Sequence, residues 1–311
     1  MTAAELEQHE EFPYVFWDLK PEKKGKVAAA VGRGGPINIA YEVHGHGPIH
    51  LVWVMGLGGL KGAWQRQTKD FSHKQADKYT SVIIDNRGVG ESDKPMMRYS
   101  TSEMAKDVIE VVDHLGWTSK RQLHVIGISM GGMIAQEMGY FENLRNRINL
   151  FIPRSLDDQL ANVKRNIYTE AYLEAPDSTE YTKLPFPTNG DRFAASEVAK
   201  RKDPAAFNRT GFMAQAVAAG WHHKSPEQLK KLADKVGRDR IMVIHGSEDK
   251  MITYPHVFVT LEGLEGKNAE YGEVEKHLIE GQGHVVPIEM REEFNSWVEA
   301  LAARGEELNK Q

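Results

Sequence analysis

The sequence of 311 residues contains no cysteine and no long hydrophobic run. Without cysteine there are no disulfides, no thiolate metal ligands and no cysteine nucleophile. The longest uncharged apolar stretch, Ile49 to Leu60, is well short of the roughly 18 residues that a membrane span needs. The opening residues, MTAAELEQHEEF, have neither the basic nor the apolar region of a signal peptide. These absences predict a cytoplasmic protein without a membrane span.

An excess of basic charge is also missing. The chain has 39 Lys and Arg against 44 Asp and Glu, a formal net charge of −5. This balance gives no reason to expect nucleic acid or an anionic membrane as a partner. The sequence lacks G-x-x-x-x-G-K-[ST], a properly spaced G-x-G-x-x-G and H-E-x-x-H, so neither a cofactor nor a metal is predicted. The expected partner is a small-molecule substrate, and the oligomeric state is left open.

Short apolar runs alternate with amphipathic stretches, a pattern typical of a mostly parallel sheet flanked by helices. Two runs, Lys26–Val31 and Ile37–Val43, flank a glycine-rich turn and predict a hairpin. Five more runs are apolar without alternation, as in strands buried on both faces: IHLVWVM, TSVIID, QLHVIGI, RIMVIHG and EKHLIEG. The predicted fold class is therefore α/β.

Helix signals separate these runs. Ser100 and Glu103 have the spacing of a capping box, and Ser225 and Gly237 bracket another helix. The last helix is indicated by apolar residues at i, i+3, i+4 and i+7, namely Phe294, Trp297, Val298 and Leu301.

The stretch 153–235 breaks the strand–helix rhythm. Ser155 and Asp158 predict the start of a helix, and helical stretches at Ala194–Lys202 and Ala205–Trp221 follow a proline-rich connector. A segment of this length without a strong strand favours a helical cap over one end of the sheet, although one of its helices has to be an ordinary crossover. The predicted domains are an N-terminal extension (1–25), a core (26–152 and 236–311) and a cap (153–235).

A serine lies between two glycines in Gly127-Ile128-Ser129-Met130-Gly131. Such a G-x-S-x-G pattern is weak alone, but here an apolar run precedes it and a helical stretch follows it. A sharp strand–turn–helix strains the backbone at the serine and needs small neighbours, which the glycines supply. The context predicts that Ser129 is a nucleophile at the carboxyl end of the strands.

A serine hydroxyl needs a base to remove its proton, and the base needs a carboxylate to orient it. Asp249 directly follows the run RIMVIHG, and His284 directly follows EKHLIEG, so both are expected at the same sheet edge as Ser129. Glu248, Asp157 and Asp158 stay open as alternatives for the acid. His124 and His245 lie within strands and are interpreted as structural, whereas His222 and His223 are candidates for lining a pocket.

An oxyanion needs two backbone N–H donors. Met130 follows the nucleophile and is expected to give one, and Leu57 in the Gly56–Gly59 loop is expected to give the other. The apolar side chains expected to form the pocket are Met55, Leu57, Trp64, Met130, Phe212, Met213 and Trp221, although plain core packing accounts for each of them equally well.

Five segments, VWVMGLGG, DNRGVGESDKP, GISMGG, HGSEDKMI and GQGHVVPIE, occur in the order found in the α/β-hydrolase superfamily. The chain resembles that superfamily from about Ile37 to Leu301, particularly its capped single-domain members. The resemblance implies an α/β-hydrolase fold with eight sheet strands and a cap inserted after the sixth strand. The candidate for that sixth strand is Ile148–Ile152. It also implies that Arg87–Ser92 supports the site structurally.

The serine excludes the relatives that use an aspartate nucleophile, the epoxide hydrolases and haloalkane dehalogenases. Proline iminopeptidases are similar too, but their oxyanion loop usually contains Gly-Gly-Pro, and Gly56–Gly59 has no proline. The predicted function is a serine hydrolase, esterase-like, acting on a small and fairly apolar ester, thioester or amide. An acyltransferase and an aminopeptidase stay open within enzymes, and a receptor with slow or no turnover is the alternative outside them.

Overall fold

A computed structural model describes residues 1–139 and 156–310 of the chain. The strands are β1 (Lys23–Ala29), β2 (Ile37–His44), β3 (Ile49–Val54), β4 (Tyr79–Ile84), β5 (Leu123–Gly127), β6 (Met242–Gly246) and β7 (Glu275–Ile279). The α-helices are α1 (Ala3–Gln8), α2 (Gln65–Ser72), α3 (Thr101–His114), α4 (Met130–Gly139), α5 (Leu156–Ile167), α6 (Glu170–Glu174), α7 (Asn189–Lys202), α8 (Arg209–Gly220), α9 (Pro226–Val236), α10 (Pro255–Glu265), α11 (Val286–Glu289) and α12 (Arg291–Asn309). Short 3₁₀ helices cover Phe12–Tyr14, Lys61–Trp64, Arg238–Arg240 and Lys267–Ala269.

The strands form two sheets, one in the order β1-β2-β4-β3-β5 and one that pairs β6 with β7. β2 pairs antiparallel with β1 and β4, whereas β3 pairs parallel with β4 and β5, and β6 pairs parallel with β7. The predicted hairpin and all five predicted apolar strands are confirmed. Within the described residues no strand joins β5 to β6, and the predicted sixth strand at Ile148–Ile152 lies outside them.

The first sheet has a core on each face. Val52 and Val54 of β3 pack with the apolar side of α3, whereas Leu51 and Trp53 of the same strand pack with the side chains of α2 and α12. Every residue of β4 is buried. This two-sided burial explains why β3 and β4 are apolar without alternation.

The capping residues predicted for α9 and α3 lie at the ends of these helices. The Ser225 capping box is complete, and α9 ends before Gly237 at φ +93°, as predicted. At α3 the Ser100 side chain accepts the Glu103 N–H, but the reciprocal bond does not form. The capping box predicted there is therefore half wrong, because the Glu103 carboxylate pairs with Arg33 instead.

The helices α5 to α8 form what we call the helical segment (residues 156–224). Its helix α8 lies against the loops that follow β3 and β4, through contacts to Gly58 and Arg87. In contrast to α8, the helix α9 packs against α10 beside the second sheet. This is the position of a helix that crosses over between strands. The predicted cap boundary at 235 stays a prediction, and the predicted helix start at Ser155 lies outside the described residues.

The N-terminal residues pack on the helical segment. Leu6 and Val15 share a buried cluster with Ala194, Ala195 and Val198 of α7. Among the residues that the structure describes, we find no helix with the length and apolarity to cross a bilayer.

Candidate active site

Ser129 occupies the turn between β5 and α4 with φ +56°. This left-handed conformation costs a residue with a side chain on the order of 1–2 kcal/mol, and it turns the hydroxyl out of the strand. The turn is possible because its neighbours lack side chains: a Cβ at Gly127 would lie 2.2 Å from the Gly131 carbonyl oxygen, and one at Gly131 would lie 2.1 Å from that of Val54. The strained serine at the start of a helix is the feature that the sequence pattern predicted.

Asp249 follows β6 and His284 follows β7, at the same edge of the second sheet. The His284 Nδ1 lies 2.7 Å from Oδ2 of Asp249. The other carboxylate oxygen of Asp249 accepts the backbone N–H groups of Met251 and Ile252, at 2.8 and 2.9 Å. The structure therefore brings together the predicted base and the predicted acid, with the carboxylate held from its far side.

Two opposing effects set the pKa of Asp249. Burial acts to raise it, but the hydrogen bond and charge of His284, together with the two backbone N–H donors, outweigh burial and hold the pKa below its ordinary value. Asp249 is therefore a carboxylate at neutral pH, the form that orients an imidazole.

The predicted nucleophile and base are not hydrogen-bonded to each other. Ser129 and His284 both lie in the described part of the chain, where no hydrogen bond joins them. Catalytic hydrogen bonds are often long before substrate binds and tighten in the complex. The Asp249–His284 pair is thus hydrogen-bonded, whereas a catalytic contact between His284 and Ser129 stays a prediction.

The other acid candidates have different surroundings. Glu248 is exposed, and the Asp157 carboxylate accepts the backbone N–H of Ala3 at 2.9 Å. Asp158 is exposed on α5. Of these carboxyl groups only Asp249 is hydrogen-bonded to His284 in the described residues.

The Gly56–Gly59 loop is a turn beside the serine. Gly59 N–H donates to the Gly56 carbonyl, and a Cβ at Gly56 would lie 3.6 Å from Ser129 Oγ. The backbone N–H groups of Leu57 and Met130 donate to no acceptor within residues 1–139 and 156–310. Since Met130 also begins the ten-residue helix α4, its N–H adds the positive end of a helix dipole. Both groups are available to an oxyanion, and that role stays a prediction.

The predicted pocket residues have mixed surroundings. The Phe212 ring lies over the turn, 2.8 Å from where a Cβ on Gly58 would be, and Met55 lies close to Gly59. Trp64 is 2% exposed and packs against Trp53 in the core, which is the environment of a core residue. Met213 is half-buried on α8, and Trp221 lies under the Arg98 guanidinium. The pocket assignment stays a prediction for all of them.

His222 belongs to a buried polar cluster rather than to the histidine–aspartate pair. Its Nδ1 lies 3.0 Å from Thr101 Oγ1 and 3.5 Å from a Glu137 carboxylate oxygen. Lys224 donates to the other oxygen of Glu137 at 2.8 Å. His223, the other histidine considered for the pocket, is exposed.

Sequence reasoning missed two residues of the helical segment at this site. Gln215 accepts the Gly58 N–H, and Lys200 donates to the Gly58 carbonyl. No motif contains either residue, and helical periodicity describes only their own helices, so the sequence carried no signal for them.

A separate cavity of about 530 Å³ lies at the opposite sheet edge. Its lining includes Pro48, Gln122 and Arg240, which precede β3, β5 and β6. It is therefore not part of the candidate active site.

A family model described as alpha/beta hydrolase fold matches residues 49–149. A putative carbamate hydrolase, RutD, of Azorhizobium caulinodans is 34% identical over 34% of this chain and 37% of its own length. The chain spans about a third of the length of the curated carbamate hydrolases that it matches.

Two solved structures cover most of the chain. The crystal structure of a hydrolase from Pseudomonas aeruginosa PA01 is similar with a TM-score of 0.63 and 18% identity, over 91% of this chain and 99% of that one. The structure of a thermophilic esterase from Thermogutta terrifontis has a TM-score of 0.61 and 17% identity, with the same coverage of 91% and 99%. At this level of identity the likeness establishes the fold.

Proposed function

From the premise that this chain has the α/β-hydrolase fold and resembles that superfamily, we propose that it is a serine hydrolase with Ser129 as nucleophile, His284 as base and Asp249 as the orienting acid. The observation that carries the proposal is the strained φ of +56° at Ser129, placed beside the Gly56–Gly59 turn. The hydrogen bond between Asp249 and His284 supports it.

The proposed reaction has two steps. His284 takes the hydroxyl proton of Ser129 while the serine oxygen attacks the substrate carbonyl, and the Leu57 and Met130 N–H groups bind the oxyanion. The carbonyl re-forms as the bond to the leaving group breaks, and His284 gives its proton to that group. Water then attacks the acyl-enzyme with His284 as base, which releases the acid and restores Ser129. Asp249 keeps the imidazole oriented throughout.

We further propose that the helical segment is a cap and that the substrate is a small, fairly apolar ester, thioester or amide. Phe212 of α8 and Met55 lie beside the Gly56–Gly59 turn and offer apolar contact there. The esterase among the structural neighbours is consistent with this class.

A binding protein with slow or no turnover is the second candidate. The observation that favours it is the missing hydrogen bond between Ser129 and His284 in the described residues. An acid–base pair that never reaches the serine would leave the hydroxyl a weak nucleophile.

The test is hydrolysis of p-nitrophenyl esters of increasing acyl length by wild type, Ser129→Ala and a control, Ser296→Ala, whose serine is exposed on α12. Ser129→Ala is expected to lower turnover on the order of 10⁶-fold, and the control is expected to match wild type. Equal turnover by Ser129→Ala and wild type would refute the nucleophile. Folded wild type that binds the esters without turnover would favour the binding protein.

A further inference from the structure

The turn beside Ser129 has a defined geometry. Gly59 N–H donates to the Gly56 carbonyl at 3.2 Å, and Gly58 has φ +67°, whereas Leu57 does not have a positive φ. A four-residue turn with positive φ at its third residue only is a type II turn. Its central peptide, Leu57–Gly58, is rotated by about 180° relative to that of a type I turn. The orientation of this one peptide therefore decides which turn forms.

Gln215 of α8 holds that peptide. Its Oε1 accepts the Gly58 N–H at 2.8 Å, and its Nε2 donates to the carbonyl of Arg87 at 2.8 Å. The side chain is 0% exposed, so no water competes for either bond. In a type I turn the Leu57 carbonyl would point to where the Gly58 N–H now points. The Leu57 carbonyl oxygen and Gln215 Oε1 would then face each other with no hydrogen between them. Gln215 thus selects the type II turn.

Other contacts of the helical segment keep Gln215 in place. Gly211, one turn earlier on α8, lies against the backbone of Gly88. The contact is so close that a Cβ on Gly211 would lie 2.1 Å from the Gly88 carbonyl oxygen. Gly90 N–H donates to the Ala206 carbonyl at 2.7 Å. On the other side of the turn, Lys200 Nζ donates to the Gly58 carbonyl at 3.2 Å. Both groups of Gly58 are therefore bound by the helical segment.

We propose that Gln215 is a positioning residue for the oxyanion hole, so that the helical segment completes the catalytic site and does more than cover it. The inference rests on the proposed function. The Leu57 N–H belongs to the peptide that precedes the central one. By holding Gly58, Gln215 fixes the position of the turn beside Ser129 and, with it, the position of the adjoining Leu57 N–H, the predicted oxyanion donor. Gln215 acts through the turn and needs no contact with the substrate.

The test compares wild type with Gln215→Met, which keeps the length of the side chain and removes both the amide oxygen and the amide NH2 group. On a p-nitrophenyl ester, kcat is expected to decrease by at least about 10-fold. The decrease is expected to be smaller than the roughly 10²–10³-fold decrease that follows the complete loss of an oxyanion donor. KM is expected to stay within about twofold, because ground-state binding does not use the oxyanion donors. The affinity for a boronic acid that binds the serine as a tetrahedral adduct is expected to fall in parallel with kcat/KM. A variant with impaired folding alone would lose active enzyme without this pattern.

Two more variants keep the test decisive. If Gln215→Met does not fold, Gln215→Asn replaces it, because its shorter side chain does not reach both partners. Gln159→Met, on the exposed side of α5, is the matched control and is expected to leave kcat unchanged.

The outcomes separate the two proposals. Wild type that hydrolyses the ester through Ser129, with kcat and boronic acid affinity unchanged in a folded Gln215 variant, overturns this inference alone. A rise in KM at constant kcat overturns it as well, since that result assigns Gln215 to substrate binding. Wild type without Ser129-dependent turnover or boronic acid binding defeats the proposed function, and the inference with it.

Discussion

The backbone N–H of His284 donates to the carbonyl oxygen of Ile167 at 3.1 Å, and the next N–H, that of Val285, donates to the same oxygen at 3.2 Å. The loop that carries the predicted base is therefore bonded to the end of α5. Two residues on, Thr169 donates its hydroxyl to the Glu289 carboxylate at 2.5 Å. The helical segment thus contacts the candidate site at two places, the Gly56–Gly59 turn and the His284 loop.

Glu289 gives a prediction for the dependence of stability on pH. Burial raises its pKa, and the Thr169 hydrogen bonds only partly oppose this. A carboxyl whose folded-state pKa is raised contributes stability below its unfolded pKa of about 4.3, and this contribution is lost as the pH rises through the folded pKa. Glu289→Gln stays neutral and still accepts from Thr169, so its stability relative to wild type is expected to increase with pH above about 4.

Urea unfolding followed by tryptophan fluorescence at several pH values measures this difference. Glu292→Gln, at an exposed position of α12, is the control and is expected to show no such trend. A stability difference between Glu289→Gln and wild type that is constant across the pH range would contradict the prediction.

Asp249 is expected to behave in the opposite direction. Its folded-state pKa is lowered, so its contribution to stability is present above the unfolded pKa of about 3.9 and is lost as the pH falls through the folded value. Wild type is therefore expected to exceed Asp249→Asn in the free energy of unfolding at neutral pH, with the gap closing in acid. A gap that widens in acid would mean that the His284 contact does not stabilise the carboxylate.

Asp249 and Glu248 form a matched pair for activity. Asp249→Asn removes the carboxylate that orients His284 and is expected to lower kcat by about 10⁴-fold. Glu248→Gln alters an exposed neighbour and is expected to change kcat by less than about twofold. Ester hydrolysis by both variants measures the contrast. If Glu248→Gln is the more damaging change, Glu248 is the acid.

Gly131 and Gly132 test the packing of the serine turn. A Cβ at Gly131 would lie 2.1 Å from the Val54 carbonyl oxygen, whereas one at Gly132 would come no closer than 3.4 Å to its nearest neighbour. Gly131→Ala is expected to cost at least about 1–3 kcal/mol of stability and to displace Ser129. Gly132→Ala is expected to be neutral or stabilising by up to about 1 kcal/mol, because alanine favours the helix. Thermal unfolding of both variants decides this, and equal losses would contradict it.

Local sequence patterns predicted the parts of the fold that local physics controls. Continuous apolar runs located β3 to β7, because strands buried on both faces need apolar residues at every position. Glycines on either side of Ser129 predicted the turn, since only small residues fit there. The positions of Asp249 and His284 directly after strands predicted that they lie at one sheet edge, and the hydrogen bond between them agrees with that placement.

The patterns failed where distant residues compete or cooperate. Glu103 has the spacing of a capping box, but Arg33 is an ionic partner that the spacing does not reveal. His222 lies near Glu137 and Lys224, a cluster formed by α4 and the chain after α8. In both cases one ionic partner, Arg33 or Glu137, is far away in sequence, and whether His222 lines a pocket stays a prediction.

The sequence by itself therefore determined the strands, the two ends of α9 and the chain positions of the candidate catalytic residues, because each depends on neighbours within one turn or one strand. Only the tertiary structure decided that Gln215 and Lys200 bind the two groups of Gly58, which precedes them by more than a hundred residues. It also decided that the Ile167 carbonyl holds the His284 loop. A hydrogen bond needs two groups within about 3 Å, and for residues so far apart along the chain only the packing of the whole molecule sets that distance.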